Sequence, residues 1–162
     1  MKNGMEGALR ARSEVAATGC YLMTLTSAGR AAVFGHCLDG RTVQPSAIGR
    51  ILAAQVKNLA RWEPDVSVRA VAVLPNHIHI LLRVREGAAR PDFARLSAGI
   101  KARAEGEYAF LTGRGKPNLW DRGYRALPLS TERELARAED MVRADPENWR
   151  ADEYYIPPAP KK

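Results

Sequence analysis

His77 and His79 are the residues whose type and spacing point most directly to chemistry. They open the run His77-Ile78-His79-Ile80-Leu81-Leu82-Arg83-Val84-Arg85, which is rich in strand formers. Successive residues of a strand face opposite sides. Ile78, Ile80, Leu82 and Val84 therefore make an all-aliphatic face, which has to be the core side. His77, His79, Leu81, Arg83 and Arg85 make the other face. Two neutral imidazoles on one face are adjacent ligands for a divalent metal, with a third ligand arriving from another element. Without a function, the same face is a polar outer strand with two ordinary histidines. Arg83 and Arg85 favour the metal reading, because handling a phosphate needs both a Lewis acid and positive charge.

Something has to position that strand, and the remaining sequence supplies the elements. The chain has 162 residues and 46% apolar content, enough for one domain with a sizeable core. Cys20 to Thr26 reads as a strand, and Ala31 to Leu38 as a second, joined as a hairpin through Ser27 to Arg30. Asp39-Gly40 is a turn signal. Between Pro45 and Trp62, Ile48, Ile51, Leu52, Val56 and Leu59 recur at helical spacing, and Glu63-Pro64-Asp65 ends that helix. Val66 to Leu74 and the His77 strand form a pair reversed at Pro75-Asn76. Asp92 to Tyr108 is a second helix with Phe93, Leu96, Ile100 and Ala104 on one stripe. Thr131 with Glu134 fits a capping box that starts a third helix, which Asp145-Pro146 stops. This order predicts an α+β fold, an antiparallel sheet with helices packed on one face. The expected organisation is a mobile arm at 1–18, a domain at 19–150 and a tail at 151–162.

The net charge is +7 at pH 7 and the sequence pI is about 9.8. That excess favours phosphate partners, since basic residues release counterions when they bind nucleic acid. No apolar stretch approaches the ~18 residues of a membrane span, and no apolar run follows Lys2, so neither a membrane partner nor a secretory signal is expected. Cys20 and Cys37 lack zinc-like spacing and read as reduced thiols of a cytoplasmic protein, facing each other across the first hairpin. His36 reads as a plain strand residue. Gly113, Gly115 and Lys116 lack the spacing of a phosphate-cradling loop.

The segment Leu74-Pro75-Asn76-His77-Ile78-His79-Ile80-Leu81-Leu82 resembles the HUH motif, two histidines around one bulky apolar residue, of the single-tyrosine transposases. The best fit is their REP-associated tyrosine transposase branch. Val33-Phe34-Gly35, Asp39-Gly40, Gly49 and Trp62 fit its spacing upstream. Leu119-Trp120-Asp121-Arg122-Gly123-Tyr124 resembles its Trp-x-Arg-x-Tyr stretch, and Asp145-Pro146 with Trp149 its Asn-Pro-x-x-Trp ending. The likeness spans residues 19 to 155. It implies a ferredoxin-like sheet and a homodimer that binds single-stranded or hairpin DNA. It also implies a divalent metal, Mg or Mn, held by the two histidines and an amide on a late helix. A tyrosine of that helix would attack a DNA phosphate.

Carried onto this chain, the resemblance assigns His77, His79 and Asp145 to the metal, Asp145 replacing the amide. The nucleophile position, four residues earlier, is Met141. A thioether has no ionisable proton, so the metal half of the site is retained and the nucleophile half is missing. The stretch Arg125-Ala126-Leu127-Pro128-Leu129 also departs from the family pattern. Tyr154 and Tyr155 are the candidates for a displaced catalytic tyrosine or, more simply, anchors of the chain end. Arg83, Arg85, Lys101, Arg103, Arg122 and Arg125 are the candidate DNA-backbone contacts. Three functions follow: a DNA-binding protein that does not cut, an active transposase using a displaced tyrosine, and a metal-dependent phosphodiesterase that activates water. The missing nucleophile places the first ahead.

Overall fold

The computed structural model describes residues 19–37, 39 and 41–157. The expected arm at 1–18, the last residues of the expected tail, and Gly40 of the turn signal lie outside them.

Among the described residues, six strands and three α-helices follow in the order β1 (Cys20–Thr26), β2 (Gly35–His36), β3 (Gln44–Pro45), α1 (Ala47–Lys57), β4 (Val66–Leu74), β5 (His77–Val84), α2 (Phe93–Thr112), β6 (Arg125–Leu129) and α3 (Glu132–Ala144). The main sheet is antiparallel with order β4-β5-β1-β6. β1 and β4 flank β5, and β5 and β6 flank β1, so each helical crossover skips one strand. This is the split βαβ pattern of a ferredoxin-like fold, and the α+β expectation holds.

Each helix begins where a side chain satisfies the free amides of its first turn. Ser46 Oγ accepts from Gly49 N at 3.1 Å, Asp92 Oδ1 from Arg95 N at 3.1 Å, and Thr131 Oγ1 from Glu134 N at 3.1 Å. The Glu134 carboxylate completes the third cap by accepting from Ser130 N at 2.7 Å, one residue before the position a strict capping box uses. α2 ends on Gly113 with φ 66°, the left-handed conformation glycine adopts without strain.

The aliphatic face of β5 is buried as expected, with Ile78, Ile80, Leu82 and Val84 packed among Met23, Leu25, Leu52, Leu96 and Ile100. α1 and α2 lie on this face. α3 lies on the opposite one, where Leu135 and Ala138 pack on Leu81, and Val142 joins Ala72 and Leu74. The one-face arrangement is thus right for two helices, and the third covers the histidine face. Among the described residues no helix is long and apolar enough to cross a membrane.

The described part of the expected strand at 31–38, residues 31–37, does not pair with β1. Only Gly35–His36 is extended in a ladder, and it pairs with Gln44–Pro45 in a separate small sheet. Both edges of β1 are already taken, by β5 and by β6. β6 was not expected, because Pro128 sits inside it. A proline is tolerated there because β6 is an edge strand. Consequently Cys20 and Cys37 do not face each other: Cys20 packs with Leu81 and Leu129, and Cys37 packs beside the Leu74 cluster. Both are free thiols.

The connection after β1 clamps the β4–β5 turn. Ser27 N donates to Asn76 O at 2.9 Å and Phe34 N to Pro75 O at 2.9 Å. Phe34 O is in turn approached by α1 at Gly49, where any Cβ would run into that carbonyl oxygen. Gly49→Ala is expected to destabilise the protein by about 1–3 kcal/mol through this overpacking, read as a lower denaturant midpoint at unchanged slope. An unchanged midpoint would show that α1 does not need the close approach.

Candidate functional site

The register sets the geometry. His79 pairs with Thr24 of β1 and Ala72 of β4, and Thr24 pairs with Arg125 of β6. His77 pairs with Thr26 and Leu74. Directly opposed residues share a face, so His79, Thr24 and Arg125 form one row across the sheet. The imidazoles are 4.7 Å apart, centroid to centroid, with an interplanar angle of 73°. His77 is fully buried and His79 is 8% exposed.

Each ring is oriented through Nδ1. His79 Nδ1 lies 2.6 Å from Asp145 Oδ2. His77 Nδ1 lies 2.9 Å from Asn76 Oδ1. The Asn76 carboxamide can only be placed one way round, because its Nδ2 donates to the Tyr154 carbonyl at 2.8 Å and the Arg30 carbonyl at 3.3 Å. Two carbonyls accept, so the nitrogen faces them and the oxygen faces His77. Burial holds the His77 imidazole below the usual histidine range, favouring the neutral ring. Its Nε2 is buried with no hydrogen-bond partner.

The segment after α3 closes over these rings. Trp149 stands 6.0 Å from His77 and Tyr154 4.6 Å, centroid to centroid. Asp152 Oδ2 lies 3.4 Å from His77 Nε2. Asp152 is acted on in both directions. Burial pushes its carboxyl up, but the neighbouring His77 ring and the Tyr154 amide outweigh it and hold the group below the usual range. The stretch expected as a tail from 151 thus contributes Asp152 and Tyr154 to the site.

The Tyr154 ring also carries the Arg30 guanidinium, 4.7 Å from its centroid. Arg30 is itself held at φ 57°, left-handed for a non-glycine residue. A polar cavity of about 190 Å³ opens there, lined by Thr24, Thr26, Arg30, Arg122, Arg125 and Tyr154 among others. Arg125 Nη1 donates to the Tyr154 hydroxyl at 3.0 Å and to Glu153 at 3.1 Å. Tyr155 stacks edge-on against Trp149 at 5.3 Å, away from His77.

The other candidates are elsewhere. Arg83 pairs with Cys20 at the far end of β5 from His77, six residues away and so about 20 Å distant. Arg85 lies just past β5 and grips Asp65 at 2.8 Å. The two arginines therefore do not join the histidines, although alternation puts Arg83 on the same face. Lys101 Nζ donates to the Asp121 and Gly123 carbonyls, at 2.9 and 2.7 Å, pinning the loop before β6. Arg103 lies 4.5 Å over the Trp62 ring, which packs against Gly99. His36 is exposed on β2. Met141 is 41% exposed, one helical turn before Asp145.

Among the described residues no group of three or more His, Cys, Asp or Glu side chains is arranged as a metal cage. The histidine pair nonetheless fits a metal. A ligating histidine characteristically donates its second ring N–H to an oxygen, which frees the other nitrogen for the ion. Both rings here have Nδ1 against an oxygen, and His77 Nε2 is an orphaned buried atom.

Sequence reasoning missed Asn76, Asp152, Arg30, Thr24 and Thr26. Only Asn76 carried a signal, as a buried turn residue adjoining the first histidine.

No protein-family model and no curated protein matches the sequence. Solved structures do share its architecture. A REP-associated tyrosine transposase bound to a REP hairpin superposes with a TM-score of 0.57 at 16% identity, over 82% of this chain and 68% of that one. A candidate transposase from Deinococcus radiodurans superposes with a TM-score of 0.50 at 20% identity, over 76% of this chain and 88% of that one. The fold is therefore one that transposases adopt.

Asn76→Ala would leave two carbonyls and one imidazole nitrogen without their partner. A loss of at least about 3 kcal/mol is expected, seen as a fall in Tm of about 10 °C. A fall below about 2 °C would mean that the carboxamide does not hold the turn.

Proposed function

We propose that this chain is a transposase-like DNA-binding protein. It holds single-stranded or hairpin DNA beside a divalent metal carried by His77 and His79, and it lacks the tyrosine that would cut the strand. The observation that carries the reading is the buried histidine pair, each ring tied through Nδ1 to an oxygen, on the central β5 strand of a transposase-like sheet. The neighbouring fold is seen in a transposase bound to a REP hairpin. The excess of basic residues suits a polyanion.

The metal, when bound, would polarise a phosphate and offset charge building on it. The chain's own residues do the rest. Asn76 and Asp145 orient the two imidazoles. Arg30, Arg122 and Arg125 line a cavity that suits a phosphate, and Tyr154 of the same lining also touches the His77 ring. Arg83 and Arg103, distant from the histidines, are left as backbone contacts on a longer strand. Lys101 and Arg85 have their charge engaged within the protein and serve positioning. Met141 presents a thioether where an attacking hydroxyl is needed. As the resemblance implies, the working unit is a homodimer.

One observation keeps a second reading alive. The Tyr154 hydroxyl opens on the arginine-lined cavity and accepts a hydrogen bond from Arg125. A displaced nucleophile would be this tyrosine rather than Tyr155, which packs on Trp149.

Incubation with hairpin-bearing single-stranded DNA and Mn²⁺ is expected to retard the DNA on a native gel and to give no covalent adduct on a denaturing one. Retention of the same complex by His77→Ala and His79→Ala, with unchanged metal content, would sink the metal reading. A covalent band that vanishes in Tyr154→Phe would establish the second reading, and cleavage without any adduct would point to activated water. Arg122→Ala is expected to weaken binding evenly across DNA sequences and to lower the salt slope by about 1. A sequence-dependent loss would instead make Arg122 a base reader.

A further inference from the structure

Tyr124 is 42% exposed and lines the arginine-rich cavity at the start of β6. Packing does not account for it. Its ring meets Phe93 at 6.3 Å between centroids, near the outer limit of an aromatic contact. Phe93 has a closer partner in Tyr21, edge-on at 4.8 Å. Phe93 therefore backs Tyr124 without covering it. The loop that carries Tyr124 is also held still. Lys101 Nζ donates to the carbonyls of Asp121 and Gly123, on either side of Arg122. Asp121 N donates to Thr26 O at 3.0 Å, and the Asp121 carboxylate accepts from Gly29 N at 3.1 Å. An aromatic ring whose backbone is fixed before a ligand arrives loses little freedom on stacking.

The cavity beside the ring suits an anion. Three guanidiniums line it, each placed by its own contacts. Arg30 lies over the Tyr154 ring, Arg125 is held by the Tyr154 hydroxyl and Glu153, and Arg122 stands in the pinned loop. Against them stand one lining carboxylate, Asp121, and the Glu153 carboxylate paired with Arg125, so positive charge stays in excess. Thr24 and Thr26, two residues apart on β1, add hydroxyls to the same wall. Guanidiniums and hydroxyls are the groups that hold nucleic-acid phosphates. Ring and charges line one space of about 190 Å³, so they lie within a nucleotide of one another.

We infer that this cavity and Tyr124 form one nucleotide subsite for single-stranded DNA. The phosphate seats among Arg30, Arg122 and Arg125, and the base lies on the Tyr124 ring. The inference rests on the proposed DNA-binding reading and is independent of the metal. A base offers its face only when it is unstacked, so the subsite takes an unpaired strand and rejects a continuous duplex. Every base has a π-face, so the subsite tells single from double strand and not one base from another.

The test is fluorescence anisotropy of the full chain with a short labelled oligothymidylate, run in EDTA so that the histidine pair takes no part. A blunt duplex of the same length and a strand of the same length built of abasic residues are the comparison probes. Tyr124→Ala is expected to bind oligothymidylate about tenfold more weakly than wild type. Its salt slope is expected to stay unchanged, because stacking releases no counterion. Tyr124→Phe keeps the ring and is expected to match wild type. The duplex and the abasic strand are expected to bind wild type and Tyr124→Ala alike. With the unaltered chain, the abasic strand is expected to bind at least about tenfold more weakly than oligothymidylate. Arg122→Ala is expected to weaken the abasic strand as much as the intact one, since it acts on phosphate. Equal affinity of wild type and Tyr124→Ala for oligothymidylate would overturn the inference. So would Tyr124→Phe binding as weakly as Tyr124→Ala, an equal loss on the duplex, or an Arg122→Ala that holds the abasic strand as wild type does. In each of those cases wild type still binds the strand and the DNA-binding reading stands. If wild type binds none of the probes, that reading fails and the subsite falls with it.

Discussion

Asn76 sits fully buried in the two-residue turn between β4 and β5, and its carboxamide satisfies three groups at once. Two are carbonyls from distant parts of the chain, Arg30 after β1 and Tyr154 after α3. The third is the neighbouring His77 ring. A buried amide left unpaired is costly, so the three partners are held together as a set. The turn cannot shift without releasing the C-terminal segment, and that segment cannot lift without exposing the histidine. The Ser27 and Phe34 amides bond the backbone of the same turn and fix it from the β1 side.

The aliphatic face of β5 makes this possible. With Ile78, Ile80, Leu82 and Val84 locked among the residues of α1 and α2, the strand cannot slip its register. A slip of one residue would turn both histidines into the apolar core. Packing on one face thus aims the chemistry on the other. α3 covers that second face only in part, over Leu81 and the β4 residues Ala72 and Leu74. Beyond its end, residues 145–155 supply carboxylates and aromatic rings against the imidazoles. The Tyr154 ring there touches both the His77 ring and the Arg30 guanidinium.

On the proposed reading the chain keeps the half of a transposase site that depends on burial and gives up the half that depends on one side chain. The histidines, Asn76 and Asp145 are tied into hydrogen bonds whose loss would cost stability. Position 141 is exposed on α3 and carries no such obligation. A substitution there removes a nucleophile and leaves the surrounding packing intact.

Period-two alternation on β5, helical spacing in α1 and α2, and the cap at Thr131 were legible in the sequence, because each is a local pattern imposed by one buried face. They were enough to define an α+β fold and to place His77 and His79 side by side. Other features depended on which segments meet. β6 was hidden by Pro128, which only an edge position excuses. The 31–38 segment lost its partner because β6 had taken the free side of β1. Arg83 and Arg85 lay on the right strand but at the wrong end, a distinction that alternation alone does not make. Asp152 and Arg30 looked like ordinary charged residues until the chain end folded back across the turn. Strand periodicity is a property of neighbours in the chain, so the sequence by itself determined which way the histidines face. What they face is set by contacts between residues up to 78 positions apart, as from Asn76 to Tyr154, and only the tertiary structure decided that.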